Sequence, residues 1–185
     1  DNEEQALSEL TSVTPEAHQY LCTKVGQGDS VDVEPVFFPE RIARLAAQVP
    51  NQGAVHDELD NSLSFAELEQ QATALAVLLQ AQGVMPGDKV GFLLPRSVSI
   101  VLSILAIHKV GAAYIPMDIS YPNERIENIC RQAGVQVIIS EEGLGDSLTF
   151  VDRVLDISEQ DLHLEQVMQA VVITSEMPAY VLFTS

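Results

Sequence analysis

The middle of the sequence alternates short apolar runs with segments of helical periodicity, and this alternation limits the possible folds more than any other feature. The apolar runs predict strands at residues 90–94, 113–116 and 135–140. These strands lack an alternation of polar and apolar residues, so both of their faces must be covered. The pattern therefore predicts an α/β fold with a largely parallel sheet that is flanked by helices.

Helix signals separate these strands, and the clearest one lies at LSFAEL, residues 63–68. The Ser64 hydroxyl can accept a hydrogen bond from the third helical amide, and the Glu67 carboxylate can reach back to the cap. Gly83 supplies the left-handed residue that ends such a helix. Further helices are predicted at residues 39–49, 98–109 and 122–133. The helix at 98–109 is apolar on nearly every side, so it must also be covered.

The signals weaken towards both ends of the chain. The first 35 residues are polar and acidic, which predicts a linker with one short helix at residues 15–24, followed by a domain that starts near Val36. Between residues 141 and 177 we expect strands only near 153–155 and 171–173. A last strand is predicted at residues 179–183.

The charge balance excludes two classes of partner. Acidic residues outnumber Lys and Arg by 27 to 9, and this excess repels nucleic acids and anionic membranes. Two explanations of the acidic excess remain open: a solvated surface that keeps the protein soluble, and an acidic docking face for a basic partner. We favour the solvated surface. The longest apolar stretch is too short to cross a bilayer, and the acidic start of the chain does not resemble a signal peptide.

The two cysteines, Cys22 and Cys130, lie far apart and have no metal-ligand spacing. A disulfide between them is one interpretation. Cys130, however, lies on the apolar stripe of a predicted helix, where a free thiol packs as a small apolar group. Reduced thiols are typical of cytosolic proteins, so we predict a cytoplasmic location.

Ligands of open parallel sheets bind beyond the carboxyl ends of the strands. The positions of interest are therefore Pro95-Arg96, Pro116-Met117-Asp118, Ser140-Glu141 and Thr184-Ser185. On residue type alone, a turn-forming role for Asp118 is favoured over ribose binding, and a surface or helix-start role for Arg96 over anion binding. The four histidines lack metal-site spacing, and no glycine-rich phosphate loop is present. We therefore predict no catalytic residue and no metal ligand within this sequence.

Three motifs resemble those of nonribosomal peptide synthetase adenylation domains, in the superfamily of acyl- and aryl-CoA ligases and luciferases. LSFAEL at residues 63–68, followed by GVMPGDKV at 83–90, resembles the first. HKVGAAYIPMD at residues 108–118, followed by Tyr121-Pro122 and Arg125, resembles the second and is the most specific. AYVLFTS at residues 179–185 resembles the opening of the third, a strand that leads into an ATP phosphate loop. Four residues depart from those that are common in the family at the same motif positions: Phe65, Val110, Met117 and Phe183. None of these departures removes a chemically functional group that the family needs.

The resemblance implies an organisation and a fold. Residues 1–35 resemble the connector between a condensation domain and an adenylation domain. Residues 36–185 resemble the N-terminal portion of an adenylation domain, ending at the start of the phosphate loop. Thr184 and Ser185 would then be the first residues of the loop that binds the ATP phosphates. The fold implied is the N-terminal part of the adenylate-forming enzyme fold.

The resemblance also implies an activity. The complete enzyme would use ATP and Mg²⁺ to convert an amino acid into an aminoacyl adenylate, and would then load the acyl group onto the phosphopantetheine thiol of a carrier domain. Its partners would be the amino acid, a peptidyl carrier domain, an upstream condensation domain and a small accessory protein that activates adenylation. These 185 residues are expected to be inactive alone. The alternatives are an acyl- or aryl-CoA ligase of the same superfamily and a noncatalytic structural fragment.

Overall fold

The computed structural model describes residues 13–28 and 36–183, and the chain divides into two compact units, Asp1–Pro35 and Val36–Ser185. In the first unit, helix α1 (Pro15–Tyr20) begins after Thr14, whose hydroxyl accepts a hydrogen bond from the Ala17 amide. A π-helical turn (Leu21–Val25) continues it. The short helix predicted at 15–24 is thus present, although its second half has π geometry. Residues 1–12 and 29–35 of the predicted linker lie outside the described residues.

The second unit is an α/β arrangement, as predicted. Its elements in chain order are α2 (Phe38–Gln48), β1 (Gly53–His56), β2 (Ser62–Ser64), α3 (Phe65–Ala81), β3 (Lys89–Leu93), α4 (Val98–Lys109), β4 (Ala113–Met117), α5 (Asn123–Ala133), β5 (Val137–Ser140), β6 (Arg153–Asp156) and a 3-10 turn (Ile157–Glu159). Strands β3 to β6 form one parallel sheet in the order β4-β3-β5-β6. The predicted sheet class is therefore confirmed.

Each face of the parallel sheet carries its own apolar cluster. On β5, Val137 and Ile139 point to the cluster that contains α3 and α4, whereas Ile138 points to the cluster that contains α5. All three side chains are buried. This alternation explains why the strands read as continuous apolar runs, since both faces are covered by helices.

The start of α3 has the predicted capping box. The Ser64 hydroxyl accepts a hydrogen bond from the Glu67 amide at 3.3 Å. In return, the Glu67 carboxylate accepts from the Ser64 amide at 2.8 Å and from its hydroxyl at 2.7 Å. The local signal therefore marks this helix boundary, and the first two helical amides, of Phe65 and Ala66, add hydrogen bonds to the Gln52 and Pro50 carbonyls, both at 3.0 Å.

Three features differ from the sequence predictions. The antiparallel hairpin of β1 and β2 was not anticipated. The strand predicted at 171–173 is wrong, because these residues belong to no helix or strand and Val171 instead packs close to Gly111. The strand predicted at 179–183 is reduced to a single parallel bridge between Tyr180 and Tyr114 of β4. A strand needs a partner edge over several residues, and the local apolar pattern does not supply that information.

Candidate functional site

The carboxyl ends of the parallel strands meet at one edge of the sheet, and three of the four predicted positions can be located there. Arg96 follows β3, Asp118 follows β4 and Glu141 follows β5. The fourth pair, Thr184 and Ser185, lies outside the described residues. The edge therefore gathers two acidic residues and one basic residue that are separated in the chain by whole helices.

A cavity of about 540 Å³ lies at this edge and is shared by β3 and β4. Arg96 and Asp118 line it together with Tyr121. Its remaining walls include Leu182 and Phe183, which directly precede Thr184. The described part of the chain that leads towards the predicted phosphate loop thus borders the same space as Arg96 and Asp118.

Asp118 is a turn-forming residue. Its Oδ1 atom accepts hydrogen bonds from the Ser120 amide at 2.8 Å and from the Ser120 hydroxyl at 2.6 Å. These bonds are the main reason that the pKa of Asp118 lies below its usual value, and the positive charge of Arg96 lowers it further. The carboxylate therefore stays ionised and orders the turn before α5, which is the role favoured from residue type.

Arg96 also borders a second cavity of about 700 Å³. The β1–β2 loop lines one side of this cavity, and the start of α4 lines another. Glu141 and Glu142, which follow β5, complete the lining together with Ser158. Arg96 is exposed and lines both cavities, which agrees with the surface position favoured from residue type.

Asp57 fixes the β1–β2 loop against α4, and sequence reasoning missed this residue. Its carboxylate accepts from the amides of Leu59 and Asn61 at 2.9 and 3.0 Å. It also accepts from the Val98 amide at the start of α4 at 3.3 Å. The Asn61 side chain contributes most to lowering the pKa of Asp57. The only local hint was the mostly polar run DELDN at residues 57–61, which is typical of a turn.

The loop after β5 is held by Asp156 at the end of β6. Its carboxylate accepts from the Gly143 amide at 2.8 Å and from the Ser158 amide and hydroxyl. Burial raises the pKa of Asp156, but these hydrogen bonds outweigh burial, so that the net shift is downward. Glu142, in the same loop, has a positive φ of 52°. The loop is therefore kept in a conformation that a non-glycine residue rarely adopts.

Residues 179–181 run parallel to the outer edge of β4. The Tyr114 amide donates to the Ala179 carbonyl at 3.1 Å, and the Val181 amide donates to the Tyr114 carbonyl at 3.0 Å. Because this pairing is parallel, the segment runs in the same direction as the strands, towards the carboxyl edge of the sheet. The segment that resembles the opening of the third motif is thus anchored immediately before Thr184.

The two cysteines differ in exposure, and neither forms a disulfide. Cys22 is exposed and Cys130 is buried, and both thiols are free. Burial raises the pKa of Cys130 to about 11.

In residues 13–28 and 36–183, no three His, Cys, Asp or Glu side chains come together as a group that could hold a metal ion. Within the same residues, no helix is both long and apolar enough to cross a membrane.

Comparisons with known proteins agree with the fold and the motifs. The family model described as AMP-binding enzyme matches residues 42–185. A linear gramicidin synthase protein from Brevibacillus parabrevis is 37% identical over 147 residues, which cover 78% of this chain and 2% of that protein. Gramicidin S synthase 2 from Brevibacillus brevis is 29% identical over 185 residues, which cover 100% of this chain and 4% of that protein.

Among solved structures, the nonribosomal peptide synthetase FmoA3 in its α-methyl-L-serine-AMP-bound form matches with a TM-score of 0.74 and 26% identity. The match covers 83% of this chain and 18% of that chain. The fold is therefore that of the N-terminal part of an adenylate-forming enzyme. The chain belongs to the AMP-binding enzyme family, and its resemblance to nonribosomal peptide synthetase adenylation domains is confirmed. It spans only a few per cent of the length of the two gramicidin synthases.

Proposed function

We propose that the complete protein activates an amino acid with ATP, forming an aminoacyl adenylate and releasing pyrophosphate. The observation that carries this proposal is the match to the AMP-binding enzyme family, together with the similarity to two gramicidin synthases and to a nonribosomal peptide synthetase. The location of Arg96, Asp118 and the segment before Thr184 at one edge of the sheet supports it, because ligands of open parallel sheets bind at this edge.

In this proposal, Thr184 and Ser185 begin the loop that binds the ATP phosphates. Their hydroxyl and amide groups would donate hydrogen bonds to anionic oxygens, and such bonds are stronger than those between neutral groups. The anchoring of residues 179–181 on β4 supports this role, since a phosphate loop needs a fixed starting point. Neither residue is assigned a catalytic role.

Mg²⁺ would arrive with ATP, coordinated mainly by phosphate oxygens and water, as is usual for this ion. When bound, it neutralises phosphate charge. The protein would contribute fixed hydrogen-bond donors and the shape of the site.

The proposal includes the domain arrangement and the partners. Residues 1–35 would connect an upstream condensation domain to the adenylation domain that begins at residue 36. The activated amino acid would pass to the phosphopantetheine thiol of a peptidyl carrier domain, and a small accessory protein would support adenylation. We place the enzyme in the cytoplasm, where ATP is available and the free thiols stay reduced.

The experiment that tests this function is ATP–pyrophosphate exchange by the full-length protein that contains this chain, with panels of amino, aryl and fatty acids. We expect exchange that depends on one or a few amino acids. Exchange with only aryl or fatty acids would instead assign the protein to the acyl- or aryl-CoA ligases, and the absence of exchange with every acid would indicate a noncatalytic domain.

A pair of variants tests the role of Thr184 in the same assay. Thr184→Ala removes a proposed phosphate donor, so we expect the KM for ATP to rise about fivefold with little change in the KM for the amino acid. Thr149→Ala is the matched control, because Thr149 is exposed and lies in the loop before β6. Equal KM values for ATP in the two variants would contradict the role of Thr184.

A further inference from the structure

Residues 160–178, here called the crossover segment, carry the chain from β6 at one edge of the sheet to β4 at the opposite edge. They do so without helix or strand, so side chains of the helical layer must hold them. The Gln70 side chain donates to the His163 carbonyl at 2.6 Å. Farther along α3, the Gln80 amide group donates to the Gln169 carbonyl and accepts from its amide, both at 3.0 Å.

The last such contact comes from His108 on α4, at the point where the crossover segment ends. Its Nε2 atom lies 3.0 Å from the Ala179 carbonyl oxygen. A carbonyl can only accept a hydrogen bond, so Nε2 must carry the proton. The same carbonyl accepts from the Tyr114 amide of β4. Ala179 is therefore held by two donors, one from the helix and one from the sheet.

Two aromatic rings restrict the orientation of the His108 ring. Phe38 of α2 meets it edge-on, with ring centroids 5.9 Å apart. Tyr114 lies on another side at 5.6 Å, and Tyr180 packs against Tyr114 at 5.7 Å. A ring held in this way directs its donor to one position, so the hydrogen bond costs little additional side-chain entropy.

We propose that His108 is a positioning residue for ATP: its hydrogen bond to Ala179 fixes residues 179–181 on the edge of β4 and thereby sets the start of the phosphate loop. This inference rests on the proposed function of Thr184 and Ser185. Val181 pairs with β4 two residues after Ala179, and Leu182 and Phe183 then border the cavity at the carboxyl edge. A shift at Ala179 would thus be passed directly along the chain to Thr184.

Simple packing is the competing explanation, since an aromatic ring alone would fill the space between Phe38 and Tyr114. Two substitutions separate the explanations. His108→Phe keeps an aromatic ring but removes the donor, whereas His108→Gln keeps a donor but removes the ring. Gln80→Ala is the matched control, because it loosens the crossover segment at Gln169, well before Ala179.

The first measurement is hydrogen–deuterium exchange of peptides covering residues 179–183, in the full-length protein that contains this chain. We expect His108→Phe to accelerate exchange about threefold, the effect of losing one hydrogen bond of modest net strength. His108→Gln should restore wild-type exchange, and Gln80→Ala should leave it unchanged. Unchanged exchange in His108→Phe, or equal acceleration in His108→Gln, would overturn the proposal whether or not the enzyme is active.

The second measurement is the KM for each substrate in pyrophosphate exchange. His108→Phe should raise the KM for ATP about threefold without changing the KM for the amino acid, and His108→Gln should reverse the effect. A parallel rise of both KM values, or the same rise in Gln80→Ala, would overturn the positioning role. A wild-type protein without amino-acid-dependent exchange would contradict the proposed function, and the hydrogen–deuterium exchange would still decide whether His108 holds Ala179.

Discussion

The carboxylate of Glu69 on α3 binds the ammonium group of Lys109 on α4, and this ion pair joins the two helices that cover one face of the sheet. The Lys109 side chain is only 9% exposed and that of Glu69 is 24% exposed. Within the described part of the chain, the second carboxylate oxygen of Glu69 is buried and has no hydrogen-bond partner. Lys109 is therefore the main compensation for placing this charge between the helices.

We predict that Lys109→Met lowers the free energy of unfolding by about 2 kcal/mol, since it leaves the largely buried Glu69 carboxylate unpaired. The further change Glu69→Gln should recover much of this loss, because it removes the uncompensated charge. Arg131→Met is the control: its partner Glu127 is an exposed neighbour on α5, so the expected loss is below about 0.5 kcal/mol. Urea unfolding measures all three, and equal losses in Lys109→Met and Arg131→Met would contradict the prediction.

The capping box at the start of α3 gives a second prediction. Ser64→Ala removes the hydroxyl that accepts from the Glu67 amide, so we expect a loss of about 1 kcal/mol in the free energy of unfolding. Ser64→Thr, which keeps the hydroxyl, should stay close to wild type. Ser62→Ala, at an exposed position of β2, is the control, and urea unfolding measures all three variants. A loss as large in Ser62→Ala would indicate a general effect of the hairpin.

The ionisation of Glu67 should contribute to the pH dependence of the free energy of unfolding. Hydrogen bonds from the Ser64 amide and then the Ser64 hydroxyl lower its pKa from the ordinary value of 4.5. A lowered native pKa stabilises the fold above the unfolded value, and this stabilisation is lost as the pH falls through the native value. Glu67→Gln should therefore be less stable than wild type at pH 7, and the difference should narrow below pH 4.5. Urea unfolding across this pH range measures it, and a constant difference would refute the assignment.

The two thiols should differ in reactivity. Cys22 is exposed, whereas burial raises the pKa of Cys130 to about 11, so that little thiolate exists at neutral pH. Mass spectrometry after iodoacetamide treatment at pH 8 should show one label on the native chain and two labels after unfolding. Cys22→Ser should remain unlabelled while folded. Rapid native labelling of Cys130, or a disulfide between the two residues, would contradict the structure.

The sequence was informative wherever the deciding interaction is local. Ser64 and Glu67, which form the capping box, are three positions apart, so the start of α3 could be predicted directly. Helix α4 begins and ends where predicted, and β3, β4 and β5 lie within two residues of their predicted bounds, because each is a continuous apolar run between turn residues. The family could be identified because its motifs are short, continuous stretches of sequence.

Contacts between distant residues could not be read in this way. The hairpin of β1 and β2 is short and partly exposed, so its residues carry little apolar patterning. The apolar run at 171–173 has the composition of a strand, yet its residues pair with no strand, and the Tyr180 bridge meets the edge of β4 instead. Strand pairing depends on which edges are free after the chain has folded, which composition does not encode.

The α/β class, the central strands, the capping box of α3 and the family all follow from the order of the amino acids. The strand order, the route of the crossover segment and the residues that meet at the carboxyl edge depend instead on tertiary packing. His108 and Ala179 are 71 positions apart, and Lys109 and Glu69 are 40 apart. Such pairs form only when whole helices pack on the sheet. Hydrophobic periodicity and motif spacing are local patterns, so they could not predict these contacts.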